Sequence, residues 1–270
     1  REYIPSGSKF RITLQARLDT NALKRIEVAL WLLANLGALG ARANRGAGSF
    51  QVAPTHFGEI PSFSNSSSID DLQKQLKTGL DQCLRLIGKE DSKWREFNSE
   101  FSPFDVLSPT SSKIWIVADK QTGWDTPMDA LNGIGKRLLD YRSYRSTKGI
   151  GKADHDAVLK WMEKREKTPN IQRAVFGLPI PFRFSDGGPS DVIQSEVGER
   201  RASPLKIRIT RLATGKYVGV MVLFKSQFLK PGTNLKLQAR KWKAPPPSDY
   251  NVIEDFMRNF PIGKEVWSNG

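Results

Sequence analysis

The sequence has very little cysteine and histidine, which many function classes require. It contains one cysteine, Cys83, and two histidines, His56 and His155, in 270 residues. A single cysteine excludes an internal disulfide and is typical of a reducing compartment, so we expect a cytoplasmic protein. These three side chains are too few for a zinc site of the usual kinds unless carboxylates complete it. We therefore predict no metal and no other cofactor.

Long apolar runs and the common nucleotide-binding motifs are also missing. No apolar run reaches the roughly 18 residues that a membrane-spanning helix needs. The glycine-rich stretch NLGALGARANRGAGSFQV, residues 35–52, lacks the Gly-Lys-Ser/Thr ending of a Walker loop. It also follows a predicted helix, whereas the dinucleotide fingerprint precedes one. Nucleoside triphosphates and dinucleotides are therefore not the expected ligands.

The abundant feature is positive charge. The formal net charge is +14, from 42 Lys and Arg against 28 Asp and Glu. The excess is concentrated in Lys136–Lys152, Glu199–Lys216 and Lys225–Lys243, with surpluses of five, five and six basic residues. These surpluses exceed the net charge of the chain, so the remaining sequence is close to neutral. Such clustering indicates a polyanionic partner, although a generally basic surface would also account for it.

The first 58 residues predict half of a ferredoxin-like unit. KFRITLQARL, residues 9–18, alternates apolar and polar side chains as a half-buried strand does. The cap cluster 19–21 then opens a helix, and Gly37 is placed to end it in a left-handed conformation. SFQV, residues 49–52, predicts the next strand. Because the chain starts at Arg1 and runs almost directly into a strand, we expect that an upstream portion belongs to this unit.

Later segments predict mainly helices and then mainly strands. Helices are expected near residues 70–84, 128–139 and 155–167, with a short buried strand at KIWIVA. The prolines of AVFGLPIPFRF, residues 174–184, favour an edge strand. Residues 204–226 predict a hairpin that turns at Thr214 and Gly215. NLKLQARKW predicts a further strand, and DYNVIEDFMRNF a closing helix.

The glycine-rich stretch carries a family resemblance. LGALGARANRGAGSF, residues 36–50, resembles the glycine-rich loop of the RAMP superfamily, and its pattern is similar to that of RAMP subunits in type III-B (Cmr) CRISPR effector complexes. FGLPIPF and the later ERRASPLKIRI resemble the C-terminal region of one such family, the first-numbered Cmr subunit. IPSGSKFRITL looks like the strand that enters that family's first glycine loop. The family's earlier arginine-bearing helix has no counterpart here.

The resemblance implies an α+β, ferredoxin-like (RRM-like) RAMP fold with two such domains, helical insertions and a missing N-terminal part. We assign residues 1–58 to the C-terminal half of a first domain, 59–170 to a mostly helical insertion or linker, and 171–270 to a second, β-rich domain with a closing helix. The resemblance further implies a noncatalytic RNA-binding subunit that lies near the 3′ end of the guide RNA. Its expected partners are guide RNA, target RNA and other RAMP subunits, with no membrane partner.

Three stretches supply the expected RNA contacts. Glycines in the loop let backbone amides approach an anion, and the loop arginines add charge-assisted contacts. GKRLLDYRSYRSTKGIGK interleaves basic residues with tyrosines, as single-stranded RNA sites do, and GERRASP places two arginines at the entry to a strand. A loop that only packs, a solvated basic segment and local pairing with Glu196 or Glu199 are the alternatives. The predicted residues are Gly40, Arg42, Asn44, Arg45, Gly46, Gly48, Arg137, Arg142, Arg145, Lys148, Lys152, Arg200 and Arg201.

Two other functions stay open. A metal-independent RAMP endoribonuclease that processes guide RNA could use His56 as its general base, although no partner acid accompanies it. Asp154, His155 and Asp156 are typical of a metal phosphohydrolase, but that chemistry needs more histidines, so we prefer a helix N-cap here. The third hypothesis is a protein-interaction subunit whose basic patches contact acidic neighbours.

Overall fold

The computed structural model describes residues 7–13, 20–53, 58–88, 101–143, 149–163, 169–183, 190–239 and 243–267. Within these ranges no helix is long and apolar enough to cross a membrane. The helices are α1 (Thr20–Leu36), α2 (Ile69–Leu86), α3 (Pro127–Arg142), α4 (Gly151–Met162) and α5 (Asn251–Arg258), with a 3₁₀ helix at Gln172–Phe176. The strands are β1 (Ser112–Ala118), β2 (Ile180–Arg183), β3 (Ser190–Ser195), β4 (Leu205–Arg211), β5 (Tyr217–Phe224), β6 (Leu235–Leu237), β7 (Lys243–Ala244) and β8 (Ile262–Trp267).

Side-chain caps define where α2 and α3 begin. Ser68 Oγ accepts a hydrogen bond from the Asp71 amide at 3.1 Å, and Thr126 Oγ1 accepts one from the Asp129 amide at 3.1 Å. Each bond satisfies an amide that has no partner inside its own helix. The residues that α2 buries recur at helical spacing and are Ile69, Leu72, Leu76, Gly79, Leu80 and Cys83.

The main sheet has four antiparallel strands in the order β4-β5-β1-β8. Along the chain its elements follow the order β1-α3-β4-β5-α5-β8. β5 therefore lies between β1 and β4, and β1 lies between β5 and β8. Two strand-helix-strand units interleave in this way, an arrangement compatible with a ferredoxin-like domain. The chain is thus α+β.

A smaller antiparallel sheet, in the order β2-β3-β6-β7, is built from two insertions into this unit. β2 and β3 come between α3 and β4, and β6 and β7 come between β5 and α5. Its core is separate from that of the main sheet and includes Trp161 of α4, Ile193 and Leu235. β2 is the edge strand that the prolines predicted: it lies at the end of the strand order next to β3, and Pro181 has no N–H to donate to a further strand.

Helices cover both faces of the main sheet. Gly219 and Gly263 both pair with Val117 and so share one face of the sheet. A Cβ at Gly219 would lie 2.5 Å from Ile134 of α3, and one at Gly263 would lie 3.7 Å from the Met257 carbonyl oxygen of α5. Arg208 is on the opposite face of β4 and borders a small cavity together with Leu72 and Leu76 of α2. Trp31 of α1 is fully buried and packs against Gly79 of α2. The sheet is therefore the middle of three layers.

Most of the predicted elements are confirmed. The predicted helices correspond to α1, α2, α3, α4 and α5, and KIWIVA lies within β1. The predicted hairpin is β4–β5, and Gly215 in its turn has φ +82°. The edge strand corresponds to β2, preceded by the 3₁₀ helix.

Four local predictions are wrong. The described part of the predicted strand 9–18, residues 9–13, forms no strand and is exposed, and residues 14–18 lie outside the described residues. SFQV is not a regular strand but runs irregularly beside β4. Gly37 follows the end of α1 without a positive φ. The C-terminal helix does not close the chain, since β8 follows it and adds an edge to the main sheet.

The main sheet cuts across the predicted domain boundary at residue 170. β1 and α3 come from the predicted helical insertion, whereas β4, β5 and β8 come from the predicted second domain. The sequence pattern could not show this, because β1 pairs with strands about a hundred residues later in the chain. The three-part division of the chain itself stays a prediction.

Candidate nucleic-acid interface

The glycine-rich loop, residues 37–50, crosses the outer edge of β4. The Ile207 amide donates to the Asn44 carbonyl at 3.1 Å, and the Ile209 amide donates to Ser49 Oγ at 2.9 Å. Arg45 forms an isolated parallel bridge with Ile207. An uncovered edge strand would leave its backbone donors without partners. The loop satisfies them, so its path is set by the sheet.

The side chain of Arg208 in β4 donates hydrogen bonds to both ends of this loop. Its Nη1 donates to the Gly37 carbonyl at 2.6 Å, and its Nη2 donates to the Phe50 carbonyl. The side chain is 3% exposed, and its guanidinium lies 5.4 Å from the centre of the Phe50 ring. Burial lowers the pKa of Arg208 to about 10, so the side chain keeps its charge at neutral pH. The alternation of β4 predicts an outward basic face, and this is wrong at Arg208 because α1 and the loop cover that face.

The loop glycines have different roles. Gly46 is buried with φ +85°, and a Cβ there would lie 2.6 Å from Leu131 of α3. A Cβ at Gly48 would lie 1.7 Å from the Leu39 carbonyl oxygen. Both positions therefore require glycine for packing. Gly40 has φ +90° and open space around it, so only its backbone conformation requires glycine.

The exposed part of the loop has backbone donors without acceptors. Within the described residues, the amides of residues 40–44 donate no hydrogen bond, whereas those of Arg45 and Gly46 donate to the carbonyls of Arg42 and Ala43. Arg42 has φ +62° and, like Asn44 and Arg45, is exposed. Consecutive free amides around left-handed residues form concavities that bind anions. This part of the loop can therefore accept a phosphate group.

Three arginines from different elements lie close enough for their charges to interact. They are Arg45 of the loop, Arg142 at the end of α3, and Arg173 of the 3₁₀ helix, and we call them the arginine cluster. Burial, together with the neighbouring charges of Arg173 and Arg45, lowers the pKa of Arg142 to about 10. Arg173 Nη1 donates to the Arg142 carbonyl at 3.1 Å. Two of these arginines are predicted RNA contacts, and Arg173 is new.

The amino acid sequence was compared with known proteins. No family model matches it. The chain is 24% identical to CRISPR system Cmr subunit Cmr1-1 of Pyrococcus furiosus over 229 residues, which are 84% of this chain and 56% of that protein. It is also 47% identical to Cmr subunit Cmr1-2 of the same organism over 51 residues, 19% of this chain and 27% of that protein. The chain is Cmr1-like. It spans little more than half the length of the first of these relatives.

Other predicted contacts of this Cmr1-like chain are already paired with carboxylates. Arg137 donates through Nε to Asp119 at 2.9 Å. Arg201 donates to Ser226 Oγ at 2.5 Å and to Asp105 at 3.4 Å. Neither of these guanidinium groups belongs to the arginine cluster. The alternative was that one of Arg200 and Arg201 pairs locally with Glu196 or Glu199, but the carboxylate that Arg201 contacts is Asp105.

Lys152 and Arg200 are exposed. Lys152 is in the first turn of α4, directly after Gly151, whose Cβ would lie 2.4 Å from the Arg142 carbonyl oxygen. The backbone therefore places Lys152 next to the arginine cluster. Arg145, Lys148 and His56 lie outside the described residues.

The Asp154-His155-Asp156 motif does not cap its own helix as predicted. Asp154 is in the first turn of α4 and is 2% exposed. Its carboxylate accepts hydrogen bonds from the backbone amides of Gln172, at 3.1 Å, and Arg173. Burial raises the pKa of Asp154 to about 6, while these two hydrogen bonds act in the opposite direction. Asp154 thus supports the short helix that carries Arg173, and within the described residues no group of side chains has the composition of a metal site.

Arg173 and Arg208 are the residues that sequence reasoning missed. Arg208 appears in an alternating strand whose polar face seemed solvated, and only the covering helix shows that it is buried. Arg173 lies between the basic segments 136–152 and 199–216, just before FGLPIPF, where the sequence has no basic surplus. Its partners are 19 to 31 residues distant in sequence. An arginine beside phenylalanines is too common a pattern to have indicated the site.

Proposed function

We propose that this chain is an RNA-binding subunit, without catalytic activity, of a type III-B CRISPR effector complex. In this role it binds guide RNA near the 3′ end and helps to capture target RNA in antiviral defence in the cytoplasm. The similarity to Cmr1-1 supports membership of a Cmr complex, and other RAMP subunits are then its protein partners. Since the chain spans 56% of that relative, the activity of the whole protein is transferred here as a proposal.

The observation that carries RNA binding is the exposed part of the glycine-rich loop. Its free amides and the exposed side chains of Arg42 and Arg45 lie together on a segment that Arg208 and β4 hold in place. Amides can surround phosphate oxygens, and guanidinium groups can bind them through two hydrogen bonds at once. Such contacts position a nucleic acid strand without selecting its sequence.

The interleaved order β1-α3-β4-β5-α5-β8 supports a RAMP-type ferredoxin-like fold. We assign this unit to one ferredoxin-like domain, with the small sheet as its insertion. We assign residues 1–58, including α1 and the loop, to the end of a preceding domain. The loop would then connect the two domains by covering β4, which places an RNA-binding loop at the joint between them.

Filter binding of single-stranded RNA across a range of salt concentrations tests the proposed function. We expect log affinity to fall linearly with log salt, since each phosphate contact on a single strand contributes a slope of about −0.7. Changing Arg42→Glu together with Arg45→Glu should weaken binding at least about tenfold and flatten the slope. The matched control is Lys77→Glu with Arg85→Glu, which makes the same change of charge on the exposed face of α2.

Absence of binding by the unaltered chain at low salt would contradict RNA binding and favour an interaction with acidic proteins. The same preparation, incubated with repeat RNA in EDTA, tests the absence of catalysis. We expect the RNA to stay intact. Cleavage that His56→Ala abolishes would instead show a metal-independent endoribonuclease.

A further inference from the structure

Arg142 and Arg173 of the arginine cluster are both supported by aromatic rings. The Arg142 guanidinium lies 5.1 Å from the centre of the Phe176 ring, and that of Arg173 lies 4.2 Å from the centre of the Phe182 ring. Phe176 and Phe182 are buried in different hydrophobic cores. A ring face attracts a cation without using its N–H donors. The two arginines are therefore held in position while their donors stay available.

The three arginines of the cluster share one neighbouring carboxylate, Asp154, whose charge acts on Arg173. Within the described residues, neither Arg142 nor Arg45 forms an ion pair, and the buried Nε atoms of Arg142 and Arg173 have no hydrogen-bond partner. Asp154 is the nearby acidic group, but its two oxygens accept the backbone amides of Gln172 and Arg173. The three arginines thus have several N–H donors without acceptors and one nearby carboxylate. That carboxylate, Asp154, already accepts two backbone hydrogen bonds.

Gathering three cations around one carboxylate opposes folding, because like charges repel and burial penalises each of them. The glycine-rich loop, α3 and the 3₁₀ helix nevertheless bring their arginines together. Buried aromatic rings hold Arg142 and Arg173 in position. Buried arginines normally occur with a partner that satisfies both charge and geometry. An anionic ligand would supply that partner, and an oxyanion fits the planar fork of a guanidinium.

We propose that Arg142 and Arg173, with Arg45, form a clamp for the phosphate groups of a single-stranded RNA backbone. The inference rests on the proposed function and extends it from the glycine-rich loop to the joint between the main sheet and the small sheet. Arg45 belongs to both sites, so one strand can pass from the free amides of the loop across Arg45 to Arg142 and Arg173. Lys152, in the first turn of α4, lies beside this path.

RNA affinity of Arg142→Gln, Arg173→Gln and the double variant, measured against salt, tests the clamp. If each arginine binds one phosphate, the double variant should flatten the slope of log affinity against log salt by about 1.4. We expect affinity to fall about tenfold for each arginine. The control is Arg258→Gln, because Arg258 is exposed and pairs with Glu254 at 2.9 Å and with Asp255 at 3.4 Å. Thermal unfolding of each variant reports whether it is folded.

A second measurement uses the unaltered chain and does not depend on folded variants. An arginine-selective dicarbonyl reagent is applied with and without RNA, and modified peptides are quantified by mass spectrometry. We expect RNA to protect Arg142 and Arg173 but not Arg258.

Three results would overturn the clamp. RNA binding by the unaltered chain, with no protection of Arg142 and Arg173 and no change of slope in folded variants, would refute the clamp alone. A chain that binds no RNA would refute the proposed function together with the clamp. Competition by polyglutamate as effective as that by RNA of equal charge would assign the cluster to an acidic protein.

Discussion

The arginine cluster and the network around Asp105 place the same kind of side chain in similar surroundings but with different partners. In the network, Arg201 donates to Asp105 and Ser226, and Lys206 lies 4.0 Å from Asp105. In the cluster, the guanidinium groups of Arg142 and Arg173 lie over aromatic rings and form no hydrogen bond with a carboxylate within the described residues. The Nε atom is buried and unpartnered in both regions, so the difference lies in the terminal nitrogens. An ion pair with a carboxylate, and not burial, therefore distinguishes Arg201 from Arg142 and Arg173.

The largest effect is expected at Arg208, a buried arginine whose two terminal nitrogens donate to carbonyl groups and not to a carboxylate. Arg208→Met should lower the free energy of unfolding by about 2–4 kcal/mol, because two partly buried carbonyl groups lose their donor. Urea denaturation measures the change. The control is Arg211→Met at the exposed end of β4, which should shift stability by less than about 0.5 kcal/mol. Equal effects at the two positions would show that Arg208 does not anchor the loop.

Asp154 provides a pH-dependent test of the support beneath Arg173. Its pKa is raised from 3.8 to about 6 in the folded chain. Between these values the folded state binds more protons, so the contribution of Asp154 to stability is greatest below about pH 4 and is lost as pH rises through about 6. Relative to the unaltered chain, Asp154→Asn should gain up to about 3 kcal/mol over this range. If the free energies of unfolding of the two proteins changed with pH in parallel, the raised pKa of Asp154 would be contradicted.

Asp105 tests the paired side of the comparison. Asp105→Asn should lower the free energy of unfolding by about 1 kcal/mol, since Arg201 and Lys206 lose a carboxylate whose side chain is 32% exposed. RNA affinity should not fall, because the clamp does not include this network. Chemical denaturation and filter binding on one preparation measure both quantities. A loss of affinity with unchanged stability would show that the network positions RNA.

The smallest effect concerns stability at Arg45. Arg45→Glu places a carboxylate beside Arg142 and should raise the free energy of unfolding by about 0.5 kcal/mol, the size of an exposed ion pair. The same change should weaken RNA binding, because it fills the clamp with an internal anion. Lower stability together with unchanged RNA binding would mean that the clustered charges are not an unfilled anion site.

Local sequence signals predicted most of the elements and part of the candidate site. Ser68 starts α2 and Thr126 starts α3 through hydrogen bonds to amides three residues away, so each helix start depends on the few residues around its cap. The left-handed glycines at 46 and 48 likewise follow from a pattern that is continuous in sequence. The segment at residues 7–13 failed because alternation predicts a strand only when a neighbouring strand is available to pair with it.

The amino acid sequence by itself determined the helix starts, the β4–β5 hairpin, the glycine-rich turn and the concentration of positive charge. Each of these depends on contacts between near neighbours or on composition. Only the tertiary structure decided which arginines are paired. Arg201 meets Asp105 across 96 residues, Arg208 meets Gly37 across 171, and Arg142 meets Arg173 at the end of a separate helix. Charge is a property of a residue, but its neutralisation depends on partners that folding brings together from distant parts of the chain.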